Sequence, residues 1–145
     1  MMTVYEKNLL ARAKRSGEPF IGSEIKRPSP EFLRAAVAID PFVIRFVSNQ
    51  SYDLRMRAVR QNGLALEYVN VVTEEIELAA VRQNGLAIKF IRRPSRTIQM
   101  AALKQNMNAY KFIAHPHTDV CALYFEYNKA LNYGPAAGLV GQKKK

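Results

Sequence analysis

The sequence is poor in the residues that build redox, metal and catalytic sites. It holds one cysteine, Cys121, two histidines and no tryptophan. A single cysteine excludes an internal disulfide and favours a reducing compartment, so we expect a cytoplasmic protein. Glycine-rich phosphate loops, nucleophile elbows and cysteine pairs are missing as well. We therefore expect no enzyme, no catalytic residues, no metal and no cofactor.

Long apolar runs and negative charge are also scarce. No apolar stretch is long enough for a membrane span, and residues 1–15 lack the apolar segment of a secretory signal. Hydrophobic residues still make up 48% of the 145 residues, which fits a folded domain with a real core. The balance of 22 Lys and Arg against 12 Asp and Glu gives +10. This charge favours anionic partners: nucleic acid, acidic proteins or anionic lipid.

What the sequence does contain is an internal repeat with an offset of 22 residues. Residues 58–66 read AVRQNGLAL and residues 80–88 read AVRQNGLAI. Atypical units are expected at the two ends of such an array. The predicted domains are an N-terminal capping segment (1–28, in which 18–21 align as a degenerate copy), repeats 1 to 4 (29–50, 51–72, 73–94, 95–116), a degenerate fifth repeat (117–133) and a flexible basic tail (134–145).

Each repeat reads as a hairpin of two short helices. A Ser/Thr column caps the first helix, and an Asn/Asp column, followed by Gly or Pro, ends it and starts the second, at about 63–69 in repeat 2. Apolar residues recur in register, so the predicted fold is all-α, with tandem 22-residue helical hairpins in a short α-solenoid-like stack. The capping column is Ser29, Ser51, Thr73, Ser95 and His117, and the first apolar column is Phe32, Leu54, Ile76, Ile98 and Val120.

The motif at residues 58–69, Ala-Val-Arg-Gln-Asn-Gly-Leu-Ala-Leu-Glu-Tyr-Val, with Asp53-Leu54 before it and Glu75-Ile76 after it, resembles a known family. This is a tandem helical repeat family catalogued only as a domain of unknown function, found in large DNA viruses, phages, bacteria and protists. The resemblance covers residues 29–113 and, more weakly, 117–133. It implies a short helical array and a viral or phage origin, hence host cytoplasm or virion. It carries no catalytic residues.

One basic residue recurs at the same helical position in three repeats, as Arg60, Arg82 and Lys104. Such a column could form a stripe that tracks phosphates or an acidic partner. The alternative is that these cations only complement the dipole in the last turn of the first helix.

A second group of cations belongs to the stretch 78–118, which contains no acidic residue. If nucleic acid binds, this stretch and the final lysines, 143–145, are where we expect it. The neighbouring column of Phe46, Tyr68, Phe90 and Phe112 is predicted to be core and not a stacking surface. The further candidate residues are Lys89 and Lys111 on the second helices, whose column begins with Arg45 and Glu67, and the loop residues Arg92, Arg93 and Arg96.

The segment from His115 to Cys121 places four potential metal ligands at alternate positions. An alternating pattern needs an extended strand, whereas the repeat predicts a loop that runs into a helix, so we expect no metal site.

These features predict a non-enzymatic interaction module. The partner we expect is a protein, in a phage or viral structural or host-interacting role that depends on the resemblance alone. The alternative is a nucleic-acid-binding protein that uses residues 78–118 and the lysine tail. Self-association through the ends of the array is a further expectation.

Overall fold

The computed structural model describes residues 1–16 and 27–133. Within these ranges the chain forms ten helices and no strand, which confirms the predicted all-α class. The degenerate copy predicted at 18–21 and the basic tail predicted at 134–145 lie outside the described residues.

The helices alternate between two kinds along the four repeats. Each repeat contains an α-helix of 10 residues followed by a 3₁₀ helix of 6 residues. The α-helices are α1 (Val4–Ser16), α2 (Pro30–Ile39), α3 (Tyr52–Gln61), α4 (Glu74–Gln83), α5 (Arg96–Gln105) and α6 (Thr118–Tyr133). The 3₁₀ helices of repeats 1 to 4 are Pro41–Phe46, Gly63–Tyr68, Gly85–Phe90 and Met107–Phe112.

The second helix of each repeat is a 3₁₀ helix and not the ordinary helix expected from the sequence, which in repeat 2 was placed at about 63–69. In repeat 2 it is a 3₁₀ helix that ends at Tyr68, and the backbone N–H of Val69 donates to Leu66 O at 3.2 Å. Its first bond already has the three-residue spacing, since Ala65 N donates to Asn62 O at 2.9 Å. This tighter winding is typical of short helical pieces that cannot accumulate α-type bonds.

In each of the four repeats, one Asn or Asp residue ends the α-helix and caps the start of the 3₁₀ helix. The backbone N–H of Asn62 donates to Ala58 O at 2.9 Å and ends α3, while its side-chain oxygen accepts from Leu64 N at 3.0 Å. The predicted Ser/Thr caps are also confirmed, as in Ser51, whose hydroxyl accepts from Leu54 N at 3.2 Å. The same cap bonds form in repeats 1, 3 and 4.

The repeats pack as two layers. Each helix from α2 to α5 contacts the next α-helix, and each 3₁₀ helix contacts the next 3₁₀ helix. The apolar column at the start of the α-helices is buried throughout, and the alanines at 36, 58, 80 and 102 are fully buried. Since an isolated helix of 10 residues is not stable in water, packing between repeats must supply the stability.

Neighbouring repeats approach each other closely at two buried glycines. A Cβ atom on Gly63 would overlap the carbonyl oxygen of Ala80, and one on Gly85 would overlap that of Ala102. The glycine amides donate to side chains of the following repeat, Gly63 N to Gln83 Oε1 and Gly85 N to Gln105 Oε1. These glycines are therefore more than breaks between helices, because the stacking distance depends on the missing side chain.

The two ends of the array depart from this pattern. At the start, α1 packs Leu9 and Leu10 against α2, and the buried carboxylate of Glu6 accepts from Ser29 N at 2.7 Å. That bond, together with bonds from Thr3, holds the pKa of Glu6 below its ordinary value.

At the other end, α6 is one continuous helix and not a hairpin. Tyr124 stands where the earlier repeats have alanine, and its ring stacks on Tyr110 with centroids 3.9 Å apart. Asn128 falls in the hinge column but lies inside the helix, where its side chain donates to Tyr124 O. The second half of α6 leaves Phe125 and Leu131 more than 60% exposed. Self-association through this end stays a prediction.

We expect Gly85→Ala to destabilise the protein by about 1–3 kcal/mol, because the added methyl group must push two packed backbones apart. Urea unfolding followed by circular dichroism measures this change. Glu67→Ala, on the exposed side of a 3₁₀ helix, is the control and should change stability by less than about 0.5 kcal/mol. Equal stability of Gly85→Ala and wild type would contradict the close approach.

Candidate functional site

The eight predicted binding residues are all exposed, but they do not form one surface. Arg60, Arg82 and Lys104 lie in the last turns of α3, α4 and α5. This placement is compatible both with a binding stripe and with the dipole alternative. The other members lie on the 3₁₀ helices (Lys89, Lys111), in the loop after repeat 3's 3₁₀ helix (Arg92, Arg93) and at the first residue of α5 (Arg96).

Three of the eight residues meet in a groove of about 560 Å³ between α4 and α5. We call it the basic groove. Its floor consists of half-buried apolar side chains, and its rim is polar and exposed. The floor residues are Leu78, Met100 and Ala101, and the rim residues are Arg82, Arg96, Thr97, Lys104 and Gln105.

Two of the three cations on this rim have no anionic partner among the described residues, namely Arg82 and Lys104. Arg96 is different, since its Nε donates to Asp119 Oδ2 at 2.8 Å. That bond from Arg96 holds the pKa of Asp119 below its ordinary value. The groove therefore offers two free positive charges above an apolar floor.

A second groove, of about 410 Å³, lies between α2 and α3. We call it the bridged groove, because Asp53 joins two arginines across it. Arg57 Nε lies 2.9 Å and Arg34 Nε 3.4 Å from Asp53 Oδ2. The bond from Arg57 lowers the pKa of Asp53. The lining residues are Arg34, Val37, Ala38, Asp53, Met56, Arg57, Arg60 and Gln61.

The two grooves are equivalent places in the array, two repeats apart. The three residues of the ionic bridge have uncharged counterparts in the basic groove: Leu78 for Arg34, Thr97 for Asp53 and Ala101 for Arg57. The counterpart of Ala38 is Arg82, whereas Arg60 and Lys104 are both cations. The same backbone positions thus form a charged, self-paired surface in one place and an apolar floor with free cations in the other.

No family model, curated protein or solved structure matches the chain. The resemblance to a viral and bacterial repeat family therefore stays a prediction. What the site can do follows from its own geometry.

The aromatic column on the 3₁₀ layer was predicted to be core, but only Tyr68 and Phe90 pack against the core. Phe46 is 45% and Phe112 40% exposed, while Tyr68 and Phe90 are half-buried. In a 3₁₀ helix residues three apart share a face, so the buried residues Leu66 and Val69 face the core and residue 68 lies at its edge.

A cation covers three of these rings. The nearest charged atom lies 4.5 Å from the ring centroid for Arg45 over Phe46, 4.7 Å for Lys89 over Phe90 and 5.0 Å for Lys111 over Phe112. These distances allow cation–π attraction. The second layer is therefore a mixed basic and aromatic surface, separate from the basic groove.

The residues from His115 to Cys121 do not form an extended strand, because α6 begins at Thr118. In the described residues no group of three or more His, Cys, Asp or Glu side chains is placed to hold a metal ion. Nor is any helix of the described ranges both long and apolar enough to cross a membrane.

Two kinds of residue in this region were missed by sequence reasoning. Buried Gln99 bonds the loop before α6, donating to His115 O at 3.2 Å and accepting from His117 N at 3.0 Å. The floor residues of the basic groove were the other omission. The sequence signal that could have identified them is the change of residue type within one repeat column, from a charged to an apolar side chain. The members of that column are Arg34, Met56, Leu78 and Met100.

The ion pair on the rim gives a direct test of the site's electrostatics. Arg96→Gln should raise the pKa of Asp119 towards its ordinary value, because the main bond to the carboxylate is lost. Carboxyl-carbon NMR over a pH titration measures the change. Asp53, whose pKa is lowered by Arg57, is the internal control and should not move. An unchanged Asp119 titration would show that the pair does not form in solution.

Proposed function

We propose that the protein is a non-enzymatic interaction module: a short α-solenoid-like stack of helical repeats that binds a protein partner through its α-helix layer. The observation that carries this proposal is the basic groove, with an aliphatic floor and the free cations Arg82 and Lys104. Stacked repeats provide extended surfaces of this kind, in which equivalent positions can be varied without changing the backbone.

The chemistry of the groove supports binding and not catalysis. Its polar lining consists of three cations, a hydroxyl and an amide, with no carboxylate, imidazole or thiol. The lining therefore lacks the usual combination of a base, a nucleophile and a group that orients the base. The further proposal that the partner belongs to a phage or viral structural or host-interacting setting depends on the family resemblance alone.

A random-peptide display library, panned on the full chain, tests this proposal. We expect peptides that bind wild type and lose about tenfold or more of their affinity, 1.4 kcal/mol, to the charge-reversed variant R60E/R82E/K104E. The matched control is Arg45→Glu on the 3₁₀ layer, which should leave binding unchanged. Peptides that bind wild type and the charge-reversed variant equally would rule out the α-helix layer as the binding surface. A panning experiment that enriches no peptides would do the same.

Nucleic-acid binding is the second candidate, and the observation that favours it is the 3₁₀ layer. Exposed Lys89 and Lys111 lie beside partly exposed aromatic rings, with Arg92 and Arg93 in the next loop. Basic residues alternating with aromatic faces are the components of single-strand binding surfaces. The final lysines, 143–145, lie outside the described residues.

Fluorescence anisotropy with labelled single-stranded DNA and RNA tests this second candidate. Each phosphate contact should contribute about 0.7 to the slope of log affinity against log salt. K89Q/K111Q should lower that slope by removing two contacts, whereas R82Q/K104Q, on the other layer, should not. Absence of binding at low salt would exclude this function.

A further inference from the structure

We propose that the basic groove between α4 and α5 binds an acidic peptide segment with aliphatic side chains, whose carboxylates pair with Arg82 and Lys104. This inference rests on the proposed function and specifies the chemistry of its partner. The ligand is a segment of another protein, because each part of the groove matches a different part of such a segment.

The floor of the groove selects apolar side chains. Leu78, Met100 and Ala101 are half-buried, so each keeps apolar surface that a ligand can cover. None of the lining residues is aromatic, so a nucleobase would find no ring on which to stack. A methionine in the floor adapts to differently shaped aliphatic groups. At about 560 Å³, the groove lies within the range of about 300–1,000 Å³ of ligand sites.

The rim selects negative charge. Arg82 and Lys104 occupy equivalent positions on neighbouring helices, whose axes pack about 8–10 Å apart. Both side chains are exposed and line the same groove, so a ligand on the floor lies between two cations. The nearby acid Asp119 is bonded to Arg96, and Glu74 accepts from the hydroxyl of Ser95 at 2.8 Å. Neither carboxylate is among the residues that line the groove.

In the bridged groove, which is the equivalent place two repeats earlier, most of the lining charges pair with one another. There Asp53 holds Arg34 and Arg57, and among the lining cations only Arg60 has no anionic partner in the described part of the chain. A carboxylate from outside would compete with Asp53, and an aliphatic side chain would meet charged groups. The lining of the basic groove contains no carboxylate, so a partner's acidic group would meet Arg82 and Lys104 without an internal competitor.

The position of Asp53 is acidic in every unit except repeat 4, whose α5 forms one side of this groove. Glu31, Asp53, Glu75 and Asp119 share the column, and repeat 4 has Thr97. As a result α5 has no acidic residue in its first turn, although an acid there favours the helix dipole. Repeat 4 therefore has no carboxylate at the position from which Asp53 holds two arginines in the bridged groove.

The experiment uses the peptides selected by display on the full chain and one triple variant, L78R/T97D/A101R. This variant transplants the ionic bridge into the basic groove while adding one positive charge. If an apolar floor is required, the selected peptides should lose about tenfold or more in affinity in spite of the higher charge. Arg45→Gln, at an exposed position on the 3₁₀ layer, is the matched control and should bind like wild type.

Two further measurements make the test independent of the triple variant's folding. The surface variant R82Q/K104Q should lose about tenfold or more in affinity for the selected peptides. Replacing the Asp and Glu residues of the tightest peptide by Asn and Gln should have a similar effect. The selected pool should also be enriched in acidic and aliphatic residues over the starting library.

Each contrary outcome separates this inference from the proposed function. Peptides that lose binding to the charge-reversed variant but bind the triple variant normally, or that contain no acidic residue, overturn the groove's assignment and leave the α-helix layer as a binding surface. Peptides that bind the charge-reversed variant as tightly as wild type overturn both the groove's assignment and the proposed function. Displacement of the peptides by single-stranded DNA that itself needs Arg82 and Lys104 would assign the groove to nucleic acid instead.

Discussion

The contact between a glycine and the alanine carbonyl of the next repeat determines how the rest of the structure is arranged. At Gly63 and Gly85 the backbones of neighbouring repeats approach so closely that a side chain cannot be placed between them. Gln83 extends this contact, since it accepts from Gly63 N and donates to Gln61 O at 3.2 Å. Because the individual helices are too short to be stable alone, this spacing fixes both the stability of the array and the positions of its surfaces.

The same contact is altered in the first and last repeats. Repeat 1 has Pro41 at the glycine position, and proline has no N–H to donate to the side chain of Gln61. In repeat 4 the position is Met107, and the facing alanine is replaced by Tyr124, which stacks on Tyr110. Repeats 1 and 2 therefore stack without the glycine amide bond, whereas α6 meets repeat 4 through a ring stack instead of a small facing side chain.

Sequence reasoning identified the parts of the fold that local chemistry dictates. The Ser51 cap, the Asn62 hinge and the buried column at Leu54 each follow from residue type and spacing. It did not reveal the 3₁₀ form of the second helix or the exposure of Phe112, because both depend on packing against the neighbouring repeat. The basic groove was only partly foreseen. Arg82 and Lys104 were selected by charge, but the floor between them appears only when α4 and α5 are placed side by side.

At Thr97 the chain lacks the acidic residue that the N-terminal turn of a helix favours. An acidic side chain at this position would contribute about 0.3–1 kcal/mol through the helix dipole. Asp119 pairs with Arg96, whereas Arg82 and Lys104 have no such partner within residues 1–16 and 27–133. Departures from local consistency concentrate at functional sites, where a partner supplies what the fold omits. A carboxylate that arrives with a bound segment would supply the anionic partner that Arg82 and Lys104 lack among the described residues.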